Sequence, residues 1–308
     1  MYIGNGAYCY ANATAMLLQE CGESFLPATI EVLSGVGLDA SIEGGNLFFL
    51  SNCATSPDSG ISRAMKVLGF SVKERASEEH GAWPIVELRQ ALLERTVLLG
   101  PLDMGYLQYV PNSRYLHGVD HFVLAYAIDE EYVYVHDPAG YPYSRLPLEL
   151  LQKAWQASTI GYRTNSYRCW HSPERVASPS QEEIYADTIS FFQGLYRSTG
   201  PIGQRIGIVT GQAAFRQLRE TLESGQIPEA LQGHLTHFVF QLGARRANDF
   251  SAYFAKEHPL LSELKQKQAS LLGLCHGLTV QQNWAALSPA VKELSELEAA
   301  FSEALLAI

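Results

Sequence analysis

Hydrophobic and polar positions along the first half of the chain follow two rhythms. The run YANATAMLLQE (10–20) is rich in helix formers, contains no Gly or Pro, and meets Gly22 as a stop, so a helix is predicted with Cys9 at its start. Shorter helices are predicted over 27–33, 59–68 and 84–95, the last with Ile85, Leu88 and Leu92 on one stripe. Between them lie strand-like segments: a short one over 70–73, the apolar TVLLGPL (96–102), then HFVLAYAI (121–128) and YVYVHD (132–137), rich in Val, Tyr and Phe. The acidic link Asp129-Glu130-Glu131 makes the last two a hairpin, Pro138-Ala139-Gly140 ends it, and a helix follows over 147–156. The glycine-punctuated GVGLDASIEGGN (35–46) reads as loop.

From about Ser172 the character changes. The stretch SPERVASPSQEE is polar and proline-bearing, and beyond it helical periodicity dominates over 184–196, 211–224, 229–242, 248–256, 259–272 and 287–306. At 308 residues the chain is longer than one core usually organises. Two domains are therefore expected: an α+β domain with an antiparallel sheet over 1–171 and an all-helical domain over 172–308.

Composition narrows the function classes. With 47% hydrophobic and 18% charged residues the chain suits a packed globular protein. A formal net charge of −10 argues against nucleic acid as a partner, because phosphate binding needs clustered Lys and Arg. No apolar run reaches the length of about eighteen residues that a membrane helix needs, and MYIGNGAYCYANATAMLL lacks the basic region of a secretory signal. A cytoplasmic protein with no membrane partner is the expectation. The five cysteines, Cys9, Cys21, Cys53, Cys169 and Cys275, include no C-x-x-C pair and are odd in number, which points to reduced thiols.

A thiol attacks as thiolate, and the partial positive charge at a helix N-terminus favours that form. Among the five, only Cys9 opens a predicted helix. His121 starts one hairpin strand and Asp137 ends the other. A three-residue loop puts Ile128 opposite Tyr132 and His121 diagonal to Asp137 on one face; a two-residue loop sends them to opposite faces. In the first register, Cys9 attacks a carbonyl, His121 moves the proton and Asp137 holds the ring tautomer. Backbone N–H groups at the helix start, with the Asn5 amide, are the candidate oxyanion donors.

The segments AYCYANATAMLL, HGVDHFVLAYAIDEEYVYVHDPAG, IEVLSGVGL and SPDSGISRAMKVLGF resemble the N-terminal domain of the butirosin biosynthesis protein H family, over roughly residues 1–160. That family is related in pattern to C39-like peptidases and to papain. LTHFVFQLGARRANDF and LSELEAAF look like the helical domain of unknown function that often follows it. The resemblance implies a papain-like fold and transfer of an aminoacyl group from a carrier-protein thioester to an amine, with Cys9, His121 and Asp137 as the reacting residues. Papain-like enzymes usually carry a glutamine shortly before the cysteine, whereas this chain has none before Gln19, so either Asn5 substitutes for that donor or the oxyanion hole is incomplete and the activity slow or absent.

His234 and His237 lie three apart on a predicted helix, without a third ligand, so no metal or other cofactor is expected. Arg245 and Arg246 are candidates to receive a carboxylate or phosphate of the substrate. Tyr126, Tyr132, Tyr134, Tyr141 and Tyr143 read as strand residues with a wet hydroxyl end, or as a substrate groove. Three functions stay open: acyl transfer to an amine, hydrolysis as in a C39-like peptidase or amidase, and a noncatalytic scaffold on the same fold. The expected partners are a small-molecule or peptide substrate and, for transfer, an acyl carrier protein; a homo-oligomer is compatible with the sequence.

Overall fold

The structure is a computed structural model that describes residues 1–4, 8–44, 46–78 and 81–308. In chain order its elements are α1 (Cys9–Gln19), α2 (Pro27–Ser34), β1 (Ser41–Glu43), β2 (Leu47–Phe49), α3 (Pro57–Val67), β3 (Phe70–Ser77), α4 (Ile85–Glu94), β4 (Val97–Asp103), β5 (Asp120–Ile128), β6 (Tyr132–Asp137), β7 (Tyr141–Pro147), α5 (Leu148–Gln156) and β8 (Ser166–Arg175). Then come α6 (Gln181–Ile206), β9 (Val209–Thr210), α7 (Gly211–Glu223), α8 (Glu229–His234), a π-helical turn (Leu235–Val239), α9 (Phe240–Phe254), α10 (Pro259–Val280) and α11 (Trp284–Leu306). The chain divides into two compact units, Met1–Ile30 with Pro57–Ser180, and Glu31–Ser56 with Gln181–Ile308. The class is α+β with an antiparallel sheet, and the C-terminal region is helical.

In the first unit a six-stranded sheet runs in the order β3-β8-β4-β5-β6-β7, every pairing antiparallel. Helix α1 lies against β5 and β4, and it is buried along nearly its whole length, from Tyr10 to Leu18. A helix apolar all round belongs inside a layer, and Ala11, Ala13 and Ala15 let its backbone approach its neighbours closely. Two polar residues it buries bond four residues back: Asn12 Nδ2 donates to the Tyr8 carbonyl at 2.9 Å and Thr14 Oγ1 to that of Tyr10 at 2.8 Å. A core of Leu88, Val97, Leu99, Val123, Ala125, Val133, Val135, Leu151 and Trp155 joins the sheet to α4 and α5. The alternating burial of β6 follows from that one-sided packing.

Two strands of this six-stranded sheet escape the sequence pattern. β7 carries Pro142 and Pro147, which argue against a strand, but it is the sheet edge, where a missing N–H costs no ladder bond. β8 carries Pro173 in a segment that reads as linker. The β3 register shifts between Ser71 and Lys73, so Pro173 sits at an irregularity, beyond the last residue paired with β4, His171.

The second unit holds the small sheet β2-β1-β9 and helices α6 to α11. A single cut near residue 172 would leave 31–56 with the first half; here that segment packs with the helices. Ala40, Ile42 and Phe48 join Phe215, Leu218, Phe240, Leu272 and Leu294 in one core, while Val32 and Leu38 join Phe192, Phe250, Phe254 and Phe301 in another. Within this unit Glu298 accepts from Lys265 Nζ at 3.0 Å, Gln268 Nε2 at 2.6 Å, the Asp39 amide at 3.1 Å and the Tyr196 hydroxyl. Burial and the Glu298 charge push the Asp39 carboxyl up to about 7.

Candidate active site

The first unit assembles its polar side chains at the start of α1. Cys9 is the first residue of the helix, preceded by Tyr8 in a left-handed conformation (φ 57°, ψ 48°). The first helical bond runs from the Asn12 amide to the Tyr8 carbonyl, so the Cys9 N–H stands in the turn where helix geometry supplies no acceptor. The thiol is half-buried and close enough to His121, near the start of β5, to act on the charge of its ring. His121 is 5% exposed, and its Nε2 lies 2.7 Å from Asp137 Oδ1 at the end of β6. With Nε2 committed to the carboxylate, Nδ1 is the ring nitrogen left to face the sulfur.

Asp137 is fully buried and its carboxylate is saturated with donors. Oδ1 also accepts from the Ala139 amide at 2.7 Å, and Oδ2 from the Tyr109 hydroxyl at 2.9 Å. Burial would raise its pKa, but the His121 charge and these hydrogen bonds hold it below the ordinary carboxylate value. For His121, burial works to lower the pKa, and the charge and hydrogen bond of Asp137, reinforced by those of Cys9, keep it well above the usual imidazole value. The buried carboxylate thus favours the charged form of the His121 ring.

The other cysteines lie in different surroundings. Burial pushes Cys21 and Cys53 up, and it takes Cys169 and Cys275 up to about 12. Cys21 donates to the Pro173 carbonyl and Cys53 to that of Thr199, so neither sulfur is paired with a base.

The hairpin register explains how His121 and Asp137 meet. At the turn Ile128 pairs with Val133, one residue away from the expected pairing with Tyr132. A bulge between Ala125 and Ala127 then shifts the ladder, so that Ala125 faces Val135 and Leu124 faces His136. Continued by one step, this register sets Asp137 across from Val123, on the face that His121 shares by the two-residue period.

The remaining sequence candidates fall elsewhere or are not described. Asn5 lies outside the described residues. Arg246 is buried in the second unit, donating from Nε to Glu31 Oε1 at 2.7 Å and from Nη1 to the Leu50 carbonyl at 3.4 Å. Its charge is spent on that ion pair, which corrects its reading as a substrate anchor; Arg245 beside it is half-buried in the same helix. His234 Nε2 donates to the Phe48 carbonyl, 3.0 Å away, and rests on Phe238 and Phe49. Among the described residues no group of three or more His, Cys, Asp or Glu is placed to hold a metal ion. None of their helices is long and apolar enough to cross a membrane.

Three tyrosines at the site carried no local signal in the sequence. Tyr109 sits in the irregular stretch after β4, Tyr2 donates to the Asp137 main-chain carbonyl at 2.8 Å, and Tyr162 donates to Asp120 at 2.8 Å. Burial, the Asp120 charge and hydrogen bond, and the charges of Asp58 and Cys9 hold the Tyr162 phenol well above its usual value, so it lies within electrostatic reach of the sulfur.

Comparison with known proteins gives the chain a family. It is 41% identical over 311 residues, 100% of this chain and 99% of the relative, to YobF of Bacillus subtilis (strain 168), which is described as an uncharacterized protein. The chain belongs to the YobF family. Residues 205–306 match the family described as the YobF C-terminal domain, which covers the helical part of the second unit from the end of α6 onward. A solved structure of a candidate C39-like peptidase from Bacillus anthracis superposes on this YobF-family chain with a TM-score of 0.37 at 15% identity, covering 57% of this chain and 92% of that one.

Proposed function

We propose that this YobF-family protein forms an acyl-enzyme on Cys9, on a papain-like first unit, and passes the acyl group to an amine. The observation that carries the reading is the buried His121 to Asp137 pair, 2.7 Å apart, with the half-buried Cys9 acting on the same ring. In the first step the Cys9 thiolate attacks the carbonyl carbon of a thioester or amide. The C–S or C–N bond of the donor breaks, and the proton on His121 goes to the departing thiolate or amine. In the second step an amine attacks the Cys9 thioester, neutral His121 takes its proton, and sulfur leaves as thiolate. Asp137 supports the imidazolium in both half-reactions. Helix-start N–H groups, that of Cys9 included, are the oxyanion donors in this reading, with Asn5 as the side-chain candidate.

The resemblance of residues 1–160 to the butirosin biosynthesis protein H family is the reason to favour an amine acceptor, an acyl or aminoacyl donor presented by a carrier protein, and a place in secondary metabolism. Water as the acceptor gives hydrolysis through the same intermediate. The test is mass spectrometry after incubation with simple acyl thioesters, with and without added amines. The expected result is a mass increase equal to the acyl group on the peptide containing Cys9, absent in Cys9→Ala and discharged faster by amines than by water. An unchanged adduct yield in Cys9→Ala rules the assignment out. Discharge indifferent to amines favours the hydrolase.

A further inference from the structure

We infer that Tyr109 is a positioning residue for the Cys9, His121 and Asp137 system, fixing the rotation of the Asp137 carboxylate through its second oxygen; this deepens the reading above and rests on it. Oδ1 of Asp137 is shared by two donors, His121 Nε2 at 2.7 Å and the Ala139 amide at 2.7 Å. Both act on the same oxygen, and because the carboxylate is planar any rotation about Cβ–Cγ that draws Oδ1 off these donors also moves Oδ2. The Tyr109 hydroxyl, 2.9 Å from Oδ2, is the third point that fixes the plane. A buried carboxylate oxygen without a donor would turn toward any other donor and draw Oδ1 off the imidazole.

The surroundings of Tyr109 show why it can hold that position. The stretch between β4 and β5 is irregular, but Leu107 and Val110, on either side of Tyr109, are buried in the core of the first unit. The Val110 amide donates to the Leu107 carbonyl at 2.8 Å, which closes a tight turn around Tyr109. Its ring packs edge-on against Tyr141, with centroids 6.0 Å apart. The groups that face Asp137 from all sides are His121 from β5, Tyr109 from this stretch, the Ala139 amide after β6, and Tyr2 at the main-chain carbonyl. Cys9 acts on the same His121 ring. Burial, then the charge and hydrogen bond of Asp137, hold the Tyr109 phenol well above its ordinary value, so it stays a donor wherever the site works.

Tyr2 supplies a control. Its hydroxyl reaches the same residue, but at the main-chain carbonyl, where it cannot set the carboxylate plane. The experiment is an NMR titration of the His121 ring carbons in the full chain, in wild type, Tyr109→Phe and Tyr2→Phe, with thermal unfolding recorded for each. In Tyr109→Phe the His121 midpoint is expected to fall by about one unit, a tenfold change in the protonation equilibrium. In Tyr2→Phe it is expected to stay put. A loss of thermal stability alone, with the His121 midpoint unmoved in Tyr109→Phe, overturns the inference. If Tyr109→Phe does not fold, the reciprocal measurement decides: in Asp137→Asn the Tyr109 phenol titration should move down, and an unmoved titration is equally contrary. Failure here is distinct from failure of the acyl-enzyme reading. A wild type that acylates while Tyr109→Phe leaves His121 unchanged removes only the role of Tyr109. A shifted His121 in a protein that never acylates removes only the acyl-enzyme.

Discussion

Asp137 has no exposed surface, its carboxylate receives three hydrogen bonds, and its main-chain carbonyl accepts from the Tyr2 hydroxyl and the Gly140 amide. That saturation makes a buried charge tolerable, and it turns the His121 to Asp137 pair into a pH-dependent part of stability. Because the Asp137 pKa is lowered below 3.8, its stabilising contribution is present above that value and is lost as pH falls through the folded pKa. Because the His121 pKa is raised above 6.5, its contribution is complete below that value and is lost as pH rises through the folded pKa. The pair therefore stabilises the first unit in full between 3.8 and 6.5. Replacing Asp137 by Asn removes the charge while burial stays, so the His121 midpoint is expected to drop by about one to three units. An NMR titration reads this directly, and an unchanged midpoint would mean that the carboxylate is not what holds the ring charged.

At the scale of elements, the helix carrying Cys9 and the hairpin carrying His121 and Asp137 were legible because each has a strong local pattern: Ala-rich and breaker-free in α1, Val- and Tyr-rich in β5 and β6. The hairpin register was legible only through compensation. The turn pairs Ile128 with Val133, and the bulge near Tyr126 restores the ladder. Neither device leaves a mark in composition. β7 and β8 were hidden by prolines that a strand tolerates at an edge or at a bulge, which is knowledge of place in the sheet and not of sequence. The sheet strand β1 was lost in a glycine-rich stretch, and Tyr109 in a segment with no periodicity at all. The pair Arg245 and Arg246 was read for its charge, whereas the partner that fixes Arg246, Glu31, is 215 residues away in sequence. Arg246→Ala leaves the fully buried Glu31 carboxylate without that partner and is expected to cost about 3–5 kcal/mol, read by urea unfolding. A loss below about 1 kcal/mol would place the pair among ordinary surface ion pairs.

At the scale of the whole molecule, the two units carry different electrostatic burdens. The first buries Asp137 beside His121, and also Asp58, paired with Arg168, and Asp103. The second gathers Asp39, Lys265, Gln268 and Glu298 in its interior, where Lys265 also sits over the Phe301 ring at 3.9 Å. Burial and the Glu298 charge raise Asp39 from 3.8 to about 7, so its protonated form favours the fold and that advantage is lost as pH rises through 7. Wild type is therefore expected to lose roughly 2–3 kcal/mol from this group between about pH 5 and pH 8. Asp39→Asn should flatten that part of the profile, because Asn keeps an oxygen for the Ala40 amide and tolerates the left-handed backbone at φ 66°. Urea unfolding at the two pH values compares them, and equal slopes in wild type and variant would show that Asp39 ionises normally.

The central claim is that His121, backed by Asp137, makes one sulfur of five reactive. It is tested most directly by treating the native protein with iodoacetamide near neutral pH and mapping the modified peptides over time. The expected result is modification of Cys9 ahead of Cys21, Cys53, Cys169 and Cys275, with that lead lost in His121→Ala. Cys9 reacting no faster than Cys21 or Cys53, or equally fast without the imidazole, would contradict it.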